Sequence, residues 1–216
     1  MTGRDEILAR MKAGGVTPPE SAGPLLHRYV EILLTHGKRL LLLSSGDLTE
    51  ERIAGGHLPD IADGLLLAAP REGAAVIDYG AGGGLVGFAW AVLRPGLAVT
   101  LLESKPRKAL FLKETAAELG LSNVRVWEGD GRSCARVFPA AFDVAAARGV
   151  AAHRKTLSTL HRLLRPGGAL LLFKGPESAA SAKENAGQVG LSLEREKISL
   201  LGDGKRRVFL LLRRRA

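Results

Sequence analysis

Two carboxylates and a run of glycines carry the most chemical information in this chain. Val76-Ile77-Asp78 is a short apolar run that leads directly into Gly80-Ala81-Gly82-Gly83-Gly84-Leu85-Val86-Gly87, and Ala98-Val99-Thr100-Leu101-Leu102-Glu103 is a second run that also ends on an acid. Glycines carry no Cβ and tolerate positive φ, so Gly80, Gly82 and Gly84 let a ligand lie against bare peptide groups. A helix beginning near Leu85 would aim unpaired N–H groups at the same place. Asp78 adds a fixed negative charge, which suits a cationic or amine-bearing ligand better than a pyrophosphate, and the expected ligand is S-adenosyl-L-methionine. Gly82, Gly84 and Gly87 also satisfy the G-x-G-x-x-G pattern of nicotinamide enzymes, a weak signal alone. In that fold the first glycine follows the strand at once, whereas here Gly80 and Ala81 intervene. Glu103 offers two acceptor oxygens to the vicinal hydroxyls of a ribose; it supports a nucleoside ligand without naming it.

Further cations close later apolar runs. Arg148 follows Phe142-Asp143-Val144-Ala145-Ala146-Ala147, and Lys174 follows Ala169-Leu170-Leu171-Leu172-Phe173. These elements read as strands at 74–79, 98–103, 123–127, 142–147, 168–174, 191–198 and 206–212. Helices are expected at 85–94, 106–119, 154–164 and 178–188. Alternation of this kind requires a mostly parallel sheet with helices on both faces. The last two strands, joined around Gly202-Asp203-Gly204, read as an antiparallel hairpin. Residues 1–70 read as a helical extension, with helix-compatible spacing at Asp5–Ala13 and Pro24–His36, ahead of an α/β domain over 71–216. Leu40 to Leu43 reads as core packing, although four consecutive leucines cannot share one helix stripe. Ligands in open α/β sheets bind beyond the carboxyl ends of the parallel strands, where Asp78, Glu103, Arg148 and Lys174 all fall. Arg213-Arg214-Arg215 should lie at the opposite edge as a solvated tail.

Composition sets the class of partner. The chain has 216 residues, 46% hydrophobic and 25% charged, which fits one soluble α/β domain with a modest extension. No apolar run is long enough to span a bilayer and the polar start is no signal peptide, so a cytoplasmic protein is expected. Cys134 is the lone cysteine, and the five histidines lack metal-ligand spacing; no metal site is expected. A net charge of +9 makes nucleic acid the leading partner class. The low aromatic content, 5%, suits an RNA loop whose bases are already splayed. A monomer is expected.

Leu163-Leu164-Arg165-Pro166-Gly167-Gly168, a helix stop before a buried strand, resembles an element widespread in class I methyltransferases, and seven strands ending in a hairpin resemble their fold. From about Tyr29 to Leu212 the chain resembles the glucose-inhibited division protein B family, bacterial small-subunit ribosomal RNA guanine-N7 methyltransferases. His57-Leu58-Pro59-Asp60 resembles its His-x-x-Asp, and Asp78 to Gly87 its glycine turn. Leu101 to Leu112 follows its Leu-Leu-acid-Ser pattern, Phe142 to Arg148 its Phe-Asp strand and arginine, and Phe173-Lys174-Gly175 its Leu-Lys-Gly. Arg206 falls where a late arginine precedes the last strand. Departures occur at Leu42-Leu43-Ser44-Ser45, where the family has Asn-Leu-Thr, at Val86 in place of proline, and around Gly129-Asp130-Gly131-Arg132, where its Arg-x-Glu is not preserved.

The resemblance implies a donor site of Asp78, Gly80, Gly82, Gly84, Glu103, Asp130 and Gly131, with Asp130 accepting from the adenine amine. It implies ribosomal RNA, or the small ribosomal subunit, as substrate, with Arg148 and Lys174 as catalytic groups that touch phosphate or guanine O6. Arg206 and His57 would complete the RNA side. Arg148 could instead pair with a carboxylate such as Asp143. Guanine N7 carries a lone pair and no proton, so positioning should supply most of the rate and no general base is required. Other readings are a methyltransferase for a small molecule or protein, a non-catalytic RNA-binding relative and, more distantly, a nicotinamide enzyme.

Overall fold

The computed structural model describes residues 3–200 and 206–215. In chain order these form α1 (Gly3–Ala13), α2 (Ala22–Leu40), α3 (Glu50–Arg52), a π-helical turn (Ile53–His57), α4 (Leu58–Ala68), β1 (Ala75–Tyr79), α5 (Leu85–Leu93), β2 (Ala98–Glu103), α6 (Pro106–Glu118) and β3 (Val124–Glu128). Then follow α7 (Gly131–Val137), β4 (Phe142–Arg148), α8 (Arg154–Leu163), β5 (Leu164–Lys174), α9 (Pro176–Gly187), β6 (Leu191–Leu200) and β7 (Arg206–Arg214). The strands make one seven-stranded sheet in the order β3-β2-β1-β4-β5-β7-β6. β1 to β5 are mutually parallel and β7 runs antiparallel to both β5 and β6. This is the class I methyltransferase arrangement. Strand order reverses between β1 and β4, so the crevice for a ligand opens where Asp78 and Arg148 end their strands.

The pleat decides which side chains meet. Val76, Val144, Ala146, Leu171, Phe173 and Phe209 face one core, which also contains Ile7 and Met11 of α1, Leu26 and Tyr29 of α2, Ile61 and Leu65 of α4, and Phe88 and Trp90 of α5. Ile77, Ala145, Leu170, Leu172, Val208 and Leu210 face a second core covered by Cys134 of α7, Leu157 and Leu160 of α8, and Ala182 of α9. Helices before residue 70 thus form part of the layer over the first face. Helix α5 is apolar all round because it lies between the sheet and α4, and every one of its residues is buried. Trp90 donates its indole N–H to the Ile61 carbonyl at 3.2 Å, which fixes α5 against α4.

Several expectations change. A helix at 131–137 was not foreseen; Asp130 starts it by accepting from the amides of Arg132 and Ser133. β5 begins at Leu164, because Leu164 already pairs with Phe142 before a bulge restores register at Val144 and Ala169. The final arginines are not a solvated tail. Arg213 and Arg214 belong to β7; Arg213 pairs with Glu194, and Arg214 donates to the carbonyls of His161 and Leu164. The expected turn at 202–204 lies outside the described residues. The leucine run divides: α2 ends at Leu40, Leu41 adopts φ 51° and is exposed, and Leu42 turns inward.

Tyr29 links the helical layer to the glycine turn. Its buried hydroxyl donates to the Gly83 carbonyl at 2.8 Å, with its ring tilted against Phe88. Tyr29→Phe strands that carbonyl in the core, and the expected loss is about 1–3 kcal/mol, read as a lower urea midpoint with an unchanged m value.

Candidate active site

At the carboxyl edge the chain encloses a cavity of about 340 Å³, floored by Gly80 to Gly83 and walled by Asp78, Leu85, Val86, Arg148, Gly149 and Arg207. Leu42 and Leu43 also line it. The floor is open because Gly80, Gly82 and Gly84 have φ of 73°, 58° and 82°, a conformation that side chains disfavour. The turn is tied down from three directions. Asp78 Oδ2 accepts from Gly87 N at 2.9 Å, Glu103 Oε2 accepts from Gly82 N at 2.9 Å, and Tyr29 holds the Gly83 carbonyl. The amides of Leu85 and Val86, in the first turn of α5, have no acceptor within the helix and sit at the cavity wall.

The electrostatics of this edge come from buried groups. Burial raises the Asp78 carboxyl to about pH 7, against the opposing pull of the Gly87 amide and Arg148. Its charge is therefore conditional, not fixed as the sequence suggested. Arg148 Nη2 bonds His57 Nδ1 at 2.7 Å. Burial, then the Arg148 charge, lowers His57 to about 4, so it is neutral at pH 7. With the guanidinium as donor, Nδ1 accepts and Nε2 carries the hydrogen, 3.6 Å from Asp47 Oδ1. Asp60, whose side chain has no exposure, accepts from Arg207 Nε at 3.1 Å and lies 3.8 Å from Arg148 Nε. One buried carboxylate thus holds two guanidinium groups at the cavity wall. Burial also raises the Asp60 carboxyl, opposed by both arginines.

The family model described as rRNA small subunit methyltransferase G (GidB) matches residues 23–209. The chain belongs to this family. It is 37% identical over 161 residues to ribosomal RNA small subunit methyltransferase G of Thermobifida fusca, covering 74% of this chain and 65% of that protein's length. It is 31% identical to the enzyme of the same name from Moorella thermoacetica over 97% of this chain and 84% of the other. Among solved structures it is similar to precorrin-6y C5,15-methyltransferase of Geobacter metallireducens, with a TM-score of 0.57 and 18% identity over 72% of this chain and 86% of that one. Fold likeness and family membership therefore agree.

Within this GidB family member the residues singled out from sequence divide into those at the cavity and those away from it. Asp78, Gly80, Gly82 and Arg148 line it, and His57 braces Arg148 from behind. Gly84 caps α5 at the end of the turn. Glu103 lies beside the turn, but its oxygens are engaged by the amides of Gly82 and Lys105, which leaves one lone pair on each. Asp130 is exposed and caps α7, and two backbone amides hold its carboxyl below the usual range. Gly131 is where the Tyr79 ring passes; a Cβ there would collide with the Tyr79 hydroxyl.

Three residues stand elsewhere than expected. Lys174 follows Leu170 and Leu172 on the far face of the sheet from Arg148, donates to the Val150 carbonyl at 2.6 Å and does not line the cavity. Arg206 is exposed, and its neighbour Arg207 is the arginine at the cavity, because Arg207 shares a face with Phe209 and Leu211. Asp143, offered as a partner for Arg148, pairs instead with Arg71 and Arg165. In the sequence Asp60 is marked only by its place in His57-Leu58-Pro59-Asp60; its burial, which makes cations nearby necessary, is visible only in the fold.

The two perturbed groups give opposite pH dependences. Between pH 6.5 and about 4 the unfolded chain takes up a proton that His57 refuses in the fold, so this contribution to stability is lost on acidification. Asp78 keeps its proton in the fold up to about pH 7 while the unfolded carboxyl releases it above 3.8, so its contribution is largest in acid and is lost as pH rises. On going from pH 7 to pH 5, His57→Gln should lose less stability than the parent, and Asp78→Asn should lose more. Urea midpoints of the three proteins at both pH values test this.

Proposed function

We propose that this protein transfers a methyl group from S-adenosyl-L-methionine to N7 of a guanine in small-subunit (16S) ribosomal RNA. Family membership supports the reaction class. The observation that carries the site assignment is the joining of a glycine-rich turn, a buried carboxylate and two braced arginines in one cavity.

The turn fits the donor. Gly82 has φ 58° and no contact closer than 3.9 Å at its Cβ position, so the floor is clear. Asp78 and the amides of Leu85 and Val86 would hold the amino-acid end, opposite charges meeting donors and acceptor in kind. Glu103, with Asp130 and Gly131, would hold the nucleoside end. When bound, the donor supplies an electrophilic methyl group on a sulfonium centre.

Guanine N7 presents its lone pair at neutral pH and loses no proton on methylation, so the chain needs no general base. The new bond leaves positive charge on the base. Arg148 and Arg207 therefore serve phosphate or O6 better than N7 itself, and their planar forks suit both acceptors. Asp60 and His57 restrict those forks to one orientation, which lowers the ordering cost of binding. Lys174 acts through the Gly149–Val150 loop, whose Val150 side chain lies against Gly80; its role is to position that loop. Leu42 and Leu43, in the segment where the family has Asn-Leu-Thr, add apolar lining to the cavity and help exclude water.

Small ribosomal subunits lacking the modification, incubated with labelled donor and pure protein, should acquire label at a guanine N7. Label-free RNA would overturn the assignment. Donor binding adds a pH test. A cationic donor prefers ionised Asp78, so affinity should fall as pH drops below 7, approaching about tenfold per pH unit. Asp78→Asn should weaken binding and abolish this slope, and an unchanged slope in the variant would remove Asp78 from the donor site.

A further inference from the structure

The surface opposite the N-terminal helices carries a groove of about 1000 Å³ between α7 and α8. Arg132 stands on the α7 wall, and Arg154, Lys155, Ser158 and Arg162 stand on the α8 wall. Positions 154, 158 and 162 recur every four residues, so they form one row extending about 12 Å along the helix at about 1.5 Å per residue. All four cations are exposed. Among the described residues none of the three α8 cations forms an ion pair, while Arg132 interacts electrostatically with Asp130. Among the described residues Asp130 is the one carboxylate lining the groove, and its Oδ1 is already shared by two amides. A cluster of exposed like charges costs the free protein stability and attracts a polyanion.

Tyr79 also lines the groove, with Asp130 and Gly131, the residues assigned above to the donor's nucleoside. The residues on either side of Tyr79 in the chain, Asp78 and Gly80, line the candidate active site on the other face of the sheet. Groove and cavity therefore meet at the carboxyl end of β1. We propose that this groove docks the phosphate backbone of a single-stranded RNA segment next to the target base. The proposal rests on RNA being the substrate and adds where the RNA is anchored. A base that must enter a cavity is unpaired, so the strand leading to it is single there. An open groove whose α8 wall carries Arg154 and Arg162 two turns apart, with Lys155 beside the first, suits successive phosphates better than a compact mononucleotide, which an enclosed site would hold.

The test compares the parent with the triple variant Arg154→Ala, Lys155→Ala, Arg162→Ala. All three side chains are exposed, and unchanged thermal midpoint and donor affinity would show that fold and donor site are intact. Binding of a fluorescent unstructured RNA oligonucleotide is measured over a salt series, beside methyl transfer to unmodified small subunits. Each single-strand phosphate contact contributes about 0.7 to the slope of log affinity against log salt, so the variant's slope should shrink by about 2. KM for subunits should rise with kcat nearly unchanged. A variant slope equal to that of the parent overturns the proposal, as does lost donor affinity with RNA binding retained. Loss of affinity for polyglutamate alone would assign the groove to an acidic protein and overturn it too. A reduced RNA slope in the variant, with no methylation of subunits by the parent, would uphold the groove and remove the assigned reaction.

Discussion

A turn built almost entirely of glycine has few side chains to hold its shape, and everything at this site depends on the three groups that hold it from outside. Asp78, Glu103 and Tyr29 each make one hydrogen bond to the backbone between Gly82 and Gly87. They come from β1, β2 and α2, so the conformation of the turn is set by the sheet and the helical layer together. Glycine carries the largest backbone entropy cost of ordering. Three buried or half-buried hydrogen bonds offset it and leave a floor against which a ligand can lie. The same arrangement explains why Asp78 has two roles: one oxygen closes the turn while the buried carboxyl, titrating near neutrality, faces the cavity.

Behind the opposite wall, a second buried acid organises the cations. Asp60 reaches Arg148 of β4 and Arg207 of β7, and neutral His57 takes a further Arg148 N–H. These contacts place α4 across the ends of strands that are not neighbours in sequence. Asp63, one turn further along α4, reaches Arg10 of α1 together with Lys197 and Ser199 of β6. The helices before residue 70 are therefore what aims the two arginines, as well as part of the core.

Much of this was legible in the chain. Short apolar runs ending in Asp78, Glu103 and Arg148 gave the strands and their order of use, because parallel strands need crossovers and buried strands show up as continuous hydrophobic segments. The glycine turn announced itself through composition. What the sequence hid was face. Arg148 and Lys174 both close strands at the carboxyl edge, yet the period of two sends them to opposite sides, and Arg206 and Arg207 differ by the same rule. Parity was readable, but the side on which the cavity would lie depended on how α4 and α5 pack, which is a tertiary fact. Helix α7 was missed since seven residues rich in arginine and serine carry little periodic signal; the Asp130 cap was its only local mark.

The central claim is that the backbone from Gly80 to Val86 receives the methyl donor, and amide hydrogen exchange with and without S-adenosylmethionine addresses it residue by residue. The account predicts slowed exchange at Gly83, Leu85 and Val86 on adding the donor, with the amides of α8 unaffected. Unchanged exchange across that turn, or protection confined to another part of the sheet edge, would contradict it.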